Sequence, residues 1–153
     1  MKRLFLLIAT VIMTVASCNG NVARSSENNN IPSESDMKIN ITIGDTVLTA
    51  TMADNATAHD FISLMPLTLT MTDYNRIEKV SSLPRALTTA GSPAGYDPSI
   101  GDITFYAPWG NIAIFYGDFG YAGGLIFLGR IDEGIETFAT AGSLVAKFEI
   151  IEE

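Results

Sequence analysis

The chain has 153 residues, a length typical of one domain, with 47% hydrophobic and 17% charged residues. Its single cysteine excludes an intramolecular disulfide. One cysteine and one histidine also fall short of the about four ligands that a Cys/His zinc cluster needs. The formal net charge of −8 argues against a nucleic-acid partner, because phosphate backbones attract surfaces rich in Lys and Arg.

Residues 1–17 have the layout of a secretory signal peptide. Lys2-Arg3 is the charged start, and the apolar run 4–15 is shorter than the roughly 20 residues of a membrane-spanning helix. The run ends in Val15-Ala16-Ser17-Cys18, which resembles the lipobox of bacterial lipoproteins. The resemblance implies cleavage before Cys18 and acylation of that residue. The alternative is an ordinary signal peptide followed by an unrelated cysteine.

The N-terminal pattern predicts a location in the bacterial cell envelope, with the acyl chains of Cys18 as the membrane anchor. Because the protein is acidic, its charge does not attract it to anionic lipid, so the acyl anchor alone must hold it to the membrane. Asn19 is not an acidic retention signal, which favours the outer membrane and the periplasmic side. Residues 18–36 predict a disordered tether, because they bury too little apolar surface to offset the entropy of ordering. A linear motif for a partner is the alternative. The folded domain is predicted over 37–153.

The first half of the domain predicts a β-hairpin, a helix and a strand. Residues 38–43 alternate strictly, Gly44-Asp45 is a turn signal, and residues 46–52 supply the second strand. Residues 54–65 carry apolar side chains at helical spacing, with Asn55 or Thr57 as the N-cap and Pro66 as the stop. A further alternating strand follows at residues 67–72.

The second half predicts a long loop and then a series of strands. The segment 73–101 holds three prolines and is expected to be a loop of the long kind that is usually functional or mobile. The remaining elements are strands at 102–107, 111–116, 125–131 and 143–151, with a short helix within 132–140. The whole pattern predicts a mainly β protein, a closed barrel with one or two short helices, with a β-sandwich as the alternative.

Three segments of the domain carry a resemblance to a known family. They are residues 71–79 followed by Leu83-Pro84, the long segment GDITFYAPWGNIAIFY at 101–116, and GLIFLGR at 124–130. With these segments, residues 39–151 resemble the bacterial cyclophilin-like fold proteins. The resemblance implies an eight-stranded barrel with capping helices. It does not imply a settled activity, because the group is similar to cyclophilins mainly in fold.

Peptidyl-prolyl isomerase activity would need an apolar seat for proline and a fixed donor, usually Arg, near the prolyl nitrogen. The catalytic motifs of authentic cyclophilins are absent: the chain has no Phe-His-Arg run and no Gln at all. Whether the chain is an enzyme is therefore left open. A substitute site is conceivable, since Arg76 and Arg85 flank the predicted loop and aromatic residues lie nearby. The candidate ligand-binding residues are Arg76, Arg85, Tyr74, Trp109 and Tyr116.

The alternative for each candidate is an ordinary structural role: packing under a loop for the aromatic residues and a surface ion pair for Arg76. No metal-ligand pattern and no cofactor motif is present, and the glycine-rich segment 117–124 lacks the Gly-Lys-Ser/Thr ending of a phosphate loop. The sequence thus favours a binding module for an unidentified peptide or small molecule, with its pocket near the long loop and segment 117–124. A divergent isomerase acting on exported proteins is the alternative.

Overall fold

The computed structural model describes residues 37–151, which form a closed antiparallel barrel of eight strands and a separate two-stranded sheet. The predicted signal peptide, Cys18 and the tether lie outside the described residues. The strands are β1 Lys38–Ile43, β2 Thr46–Met52, β3 Leu67–Tyr74, β4 Glu78–Ser82, β5 Gly95–Tyr96, β6 Asp102–Tyr106, β7 Asn111–Phe115, β8 Ala122–Gly123, β9 Leu125–Ile131 and β10 Leu144–Ile150. The barrel order is β1-β10-β3-β4-β7-β6-β9-β2, closed by the pairing of β2 with β1.

The prediction of a mainly β closed barrel with one or two short helices is confirmed. Alternating side chains explain it, because every second residue of a strand points inward. Ile39 and Ile41 of β1, Ile112 and Ile114 of β7, and Phe148 of β10 are all fully buried in the barrel core. The strands that alternate in this way each turn one apolar face to the barrel core, which the closed barrel protects from water.

The predicted helix is present but shorter than its apolar pattern. Helix α1 spans Ala56–Ile62 and is followed by a 3₁₀ helix at Ile135–Ala139 late in the chain. The Asn55 side chain caps α1 by accepting a hydrogen bond of 2.8 Å from the Ala58 N–H. Phe61 is fully buried and meets the Phe148 ring edge-on, so the apolar face of α1 belongs to the barrel core.

The prediction of an uninterrupted loop over residues 73–101 is wrong, because strands β4 and β5 lie inside it. The apolar alternation that marks the other strands fails in β4, whose sequence is EKVSS. Its inward position is occupied by Lys79, whose side chain is completely buried. Because a charged residue occupies the core position, the alternation pattern did not identify this segment as a strand.

The Lys79 ammonium is fully satisfied by a partly buried cluster at one end of the barrel. It donates to Asp73 Oδ2 at 3.1 Å and to the backbone carbonyls of Thr140 and Gly142 at 2.6 and 2.7 Å. The Tyr116 hydroxyl donates to the second oxygen of Asp73 at 2.6 Å. This cluster joins β3 and β4 to the segment before β10, and it explains why a lysine is tolerated inside the barrel.

No helix within residues 37–151 has the length and apolar character needed to cross a membrane. The same residues contain no group of three or more His, Cys, Asp or Glu side chains arranged to hold a metal ion.

Candidate functional site

The candidate site is a pocket of about 230 Å³ on the outer face of the barrel. In β7, Ile112 and Ile114 face the core, so Asn111, Ala113 and Phe115 face the opposite way. The residues paired with them on β4 face the same side. The pocket therefore lies over the paired strands β4 and β7, with walls from β3, β6 and the segment before β9.

The register of β4 and β7 fixes the long axis of the pocket. Val80 lies opposite Ala113 at the middle, Glu78 lies opposite Phe115 at one end, and Ser82 lies opposite Asn111 at the other. Ala113 carries only a methyl group, which leaves room above the strands. Glu78 and Asn111 are therefore separated by four positions along the register, or about 13 Å between Cα atoms.

Five of the eleven residues that line the pocket are aromatic. The Trp109 ring meets Tyr74 and Tyr106 edge-on, with ring centroids 5.9 and 5.4 Å apart. Trp109 belongs to the tight turn between β6 and β7, where Gly110 adopts a positive φ of 66°. Trp109 is nonetheless 64% exposed. A large ring held by two others and open to solvent is suited to contact a ligand.

The small sheet of β5 and β8 supplies the remaining edge of the pocket. Ala122 of β8 lines the pocket and is paired with Tyr96 of β5. The Tyr96 hydroxyl donates to the fully buried carboxylate of Asp102 at 2.9 Å, and the Arg130 guanidinium donates to the same carboxylate at 2.7 Å. Asp102 thus attaches the small sheet to the barrel and indirectly positions this edge. Burial and the hydrogen bond to Asp102 raise the pKa of the Tyr96 hydroxyl.

Gly95 and Phe119 show how closely the loops approach one another around the pocket. A Cβ at Gly95 would collide with the carbonyl oxygen of Ala122, so only glycine permits the β5–β8 pairing. Phe119, from the glycine-rich segment, stacks on Phe115 with 5.8 Å between ring centroids and also lines the pocket. The pocket therefore lies beside segment 117–124, near which a pocket was predicted from the sequence.

Glu78 is a half-buried carboxyl on the pocket wall. Within residues 37–151 it forms no hydrogen bond and no ion pair. Burial without a compensating partner raises the pKa of Glu78 to about 7. A carboxyl group shifted in this way, in a concave and largely apolar site, is typical of functional positions.

Asn111 is a second unsatisfied polar side chain on the same wall. It is only 7% exposed, and its Nδ2 donates to the Ile112 carbonyl at 3.3 Å. Its Oδ1 is buried without a hydrogen-bond partner among the described residues. Unpaired buried acceptors are rare in native proteins, and each one calls for an explanation such as a ligand or an ordered water.

A second, wider cavity of about 440 Å³ adjoins the pocket. It shares Val80, Trp109 and Asn111 with the first and is otherwise lined by hydroxyl-bearing residues, namely Thr70, Thr72, Ser81 and Ser82. The shared residues separate an aromatic compartment from a hydroxyl-rich one on the same outer face.

The structure brings two of the five predicted ligand-binding residues, Tyr74 and Trp109, to this pocket. Tyr116 instead belongs to the Lys79 cluster, where burial and the hydrogen bond to Asp73 raise its pKa to about 12.

Arg85 forms an ion pair of 2.5 Å with Asp60, which lowers the pKa of Asp60 to about 2. Arg76 lies in the β3–β4 turn with a positive φ of 57° and does not line the pocket.

The placement of the arginines bears directly on the isomerase hypothesis. Arg76 and Arg85 were the donors proposed for a twisted amide, and neither is among the described residues that line the pocket. The charged group on its wall is the carboxyl of Glu78, which accepts hydrogen bonds when ionised. The geometry around this pocket therefore supplies no guanidinium from residues 37–151 for that chemistry.

Sequence reasoning missed Glu78 and Asn111. Asn111 had a usable signal, since it shares with Ala113 and Phe115 the face opposite the apolar pair Ile112 and Ile114. Glu78 had none, because its strand was interpreted as loop.

Comparison with known proteins agrees with this architecture. The sequence profile of the Cyclophilin-like family matches residues 41–149, and the chain therefore belongs to that family. The solution structure of the hypothetical protein AF2241 from Archaeoglobus fulgidus is similar, with a TM-score of 0.61 and 16% identity, over 76% of this chain and 95% of that one. At this identity the likeness shows the fold alone. No curated protein matches the sequence significantly.

Proposed function

We propose that this cyclophilin-like barrel is a binding module, anchored in the bacterial envelope, whose ligand enters the outer-face pocket between Glu78 and Asn111. One observation carries the proposal: two polar groups without partners among the described residues, the Glu78 carboxyl and Asn111 Oδ1, belong to side chains on the wall of one aromatic pocket. Leaving a buried polar group unpaired costs about 1–3 kcal/mol, so such groups are uncommon unless they serve a function.

The size and composition of the pocket suggest what enters it. Pockets for drug-sized ligands measure roughly 300–1,000 Å³. This pocket, at about 230 Å³, is smaller and suits a compact molecule or a single side chain of a peptide. Its walls are mainly apolar and include five aromatic residues, which favours an apolar body with a polar group that meets Glu78.

Trp109 makes the proposal directly testable, because it is the single tryptophan of the chain. Small amines, alcohols and short peptides are titrated into the purified full-length protein, and the fluorescence of Trp109 is followed. We expect a saturable change with at least one of these probes. Ala113→Leu fills the middle of the pocket and is expected to weaken that binding at least tenfold.

The matched control is Ala90→Leu, which adds the same volume at an exposed loop position that does not line the pocket. Thermal unfolding of both variants shows whether the barrel is intact. The proposal is contradicted if no probe gives a saturable response, or if folded Ala113→Leu binds as tightly as the wild type.

The membrane anchor is proposed from the sequence pattern around Cys18. A charged start, an apolar run and Val15-Ala16-Ser17-Cys18 together support cleavage before this cysteine and its acylation, with Asn19 favouring the outer membrane. We expect cells expressing the protein to incorporate labelled palmitate into it and to retain it in the membrane fraction. Cys18→Ser should abolish both. Equal labelling of this variant would refute the anchor.

A further inference from the structure

We infer that the ligand of this pocket presents a protonated amine on an apolar stem, with the ammonium at Glu78 and the stem over Val80 and Ala113. The inference rests on the binding function proposed above and deepens it by assigning the chemical class of the ligand. It is argued from charge, from hydrogen-bond chemistry and from the dimensions of the pocket.

Charge complementarity gives the first argument. Glu78 is the charged side chain on the pocket wall, and it lacks an ion-pair partner within residues 37–151. The basic residues Arg85 and Arg130 are each engaged by an aspartate elsewhere, and Lys79 points into the barrel on the other side of β4. A cation supplied by the ligand would compensate the Glu78 carboxylate where the protein itself does not.

The aromatic walls give the second argument. Tyr74, Tyr106 and Trp109 surround the same pocket as Glu78, and Trp109 remains largely exposed to an incoming ligand. Electron-rich ring faces attract organic cations, and Trp attracts them most strongly. A carboxylate among aromatic rings thus favours an ammonium over both a neutral apolar group and an anion.

Hydrogen-bond chemistry narrows the class of cation. The two partnerless polar groups, the Glu78 carboxylate and Asn111 Oδ1, are both acceptors. A quaternary ammonium would supply charge but no N–H, whereas a primary ammonium donates three. Because Asn111 Oδ1 is covered, a second donor of the ligand reaches it only when neighbouring side chains shift. Glu78 is therefore the primary contact.

The dimensions fit an elongated group. The Cα atoms of Glu78 and Asn111 are about 13 Å apart, and the two side chains occupy part of this span. The remainder leaves space for a short alkyl chain above Val80 and Ala113. A lysine side chain and a free alkylamine have the same chemistry here. The net charge of −8 of the whole chain would also attract either cation.

The test compares matched probes on the full-length protein at pH 8, with Trp109 fluorescence and calorimetry as readouts. Pentylamine and pentanol have the same stem, and we expect the amine to bind at least tenfold more tightly. In Glu78→Gln this preference should fall to less than twofold. Glu133→Gln removes the same charge from an exposed residue outside the pocket and should keep the preference.

The outcomes separate this inference from the binding function itself. If pentanol binds as well as pentylamine, or if Glu78→Gln leaves the preference unchanged, the ammonium inference is overturned while the binding function stands. If neither probe nor any other ligand binds, both fail. A third probe, Nα-acetyl-lysine methylamide, distinguishes a lysine of a peptide from a free alkylamine. Tighter binding than that of pentylamine supports a peptide lysine, and weaker binding supports a free amine.

Discussion

Replacing Lys79 by methionine is expected to lower the free energy of unfolding by about 2–4 kcal/mol. Methionine fills a similar volume but leaves the Asp73 carboxylate without its cation and the carbonyls of Thr140 and Gly142 without their donor. Because domains of this size are stabilised by only about 5–15 kcal/mol, this is a large fraction of the total. Urea denaturation followed by circular dichroism measures the change.

The matched control is Lys147→Met on β10. Lys147 pairs with Glu149 at the surface, where its side chain is 49% exposed, and exposed ion pairs contribute about 0–1 kcal/mol. We expect this variant to lose less than about 1 kcal/mol. Similar losses for the two variants would show that the Lys79 cluster does not hold the end of the barrel together.

Replacing Glu78 by glutamine is expected to stabilise the protein at pH 8 and to have little effect at pH 4.5. Burial raises the pKa of Glu78 from 4.5 to about 7, so the folded state holds the proton more tightly than the unfolded chain. The stabilisation from this group is complete below pH 4.5 and is lost as the pH rises through 7. Since the carboxyl keeps contact with water, screening limits the effect to about 1–2 kcal/mol.

The measurement is urea denaturation of the wild type and of Glu78→Gln at several pH values from 4.5 to 8. The other titratable side chains on the pocket wall are the phenols of Tyr74 and Tyr106, which both proteins retain. Tyr116, whose pKa is raised to about 12 by burial, by Asp73 and to a lesser extent by the Glu78 charge, stays neutral throughout this pH range. A stability difference that does not grow with pH would contradict the assignment of Glu78 as a half-buried carboxyl without a partner.

Most of the barrel could be predicted because its strands follow one rule, the alternation of apolar and polar residues. The hairpin of β1 and β2 was predicted with its observed bounds, and β9 as well. The rule fails for β4, where Lys79 occupies the core position and is satisfied by residues up to 63 positions away in sequence. Periodicity reports local burial and cannot reveal a partner so distant in the chain.

The pocket was only partly predictable for a related reason. Tyr74 and Trp109 were predicted as ligand-binding candidates, with packing under a loop as the alternative, and they do line the pocket. Arg85 looked equally suitable, but its partner Asp60 lies on α1, 25 positions earlier, and the sequence alone does not pair them. Glu78 becomes a candidate only once strand pairing places it and Asn111 at opposite ends of one cavity.

We propose that ligands of this barrel bind on its outer face, between Glu78 and Asn111. The most direct measurement is a ¹⁵N-correlation NMR titration of the protein with pentylamine, with resonances followed residue by residue. We predict that the largest shifts fall on Glu78, Val80 and Ala113 and on the indole N–H of Trp109. Shifts concentrated around Arg85 and Asp60, or spread evenly over the barrel, would contradict it.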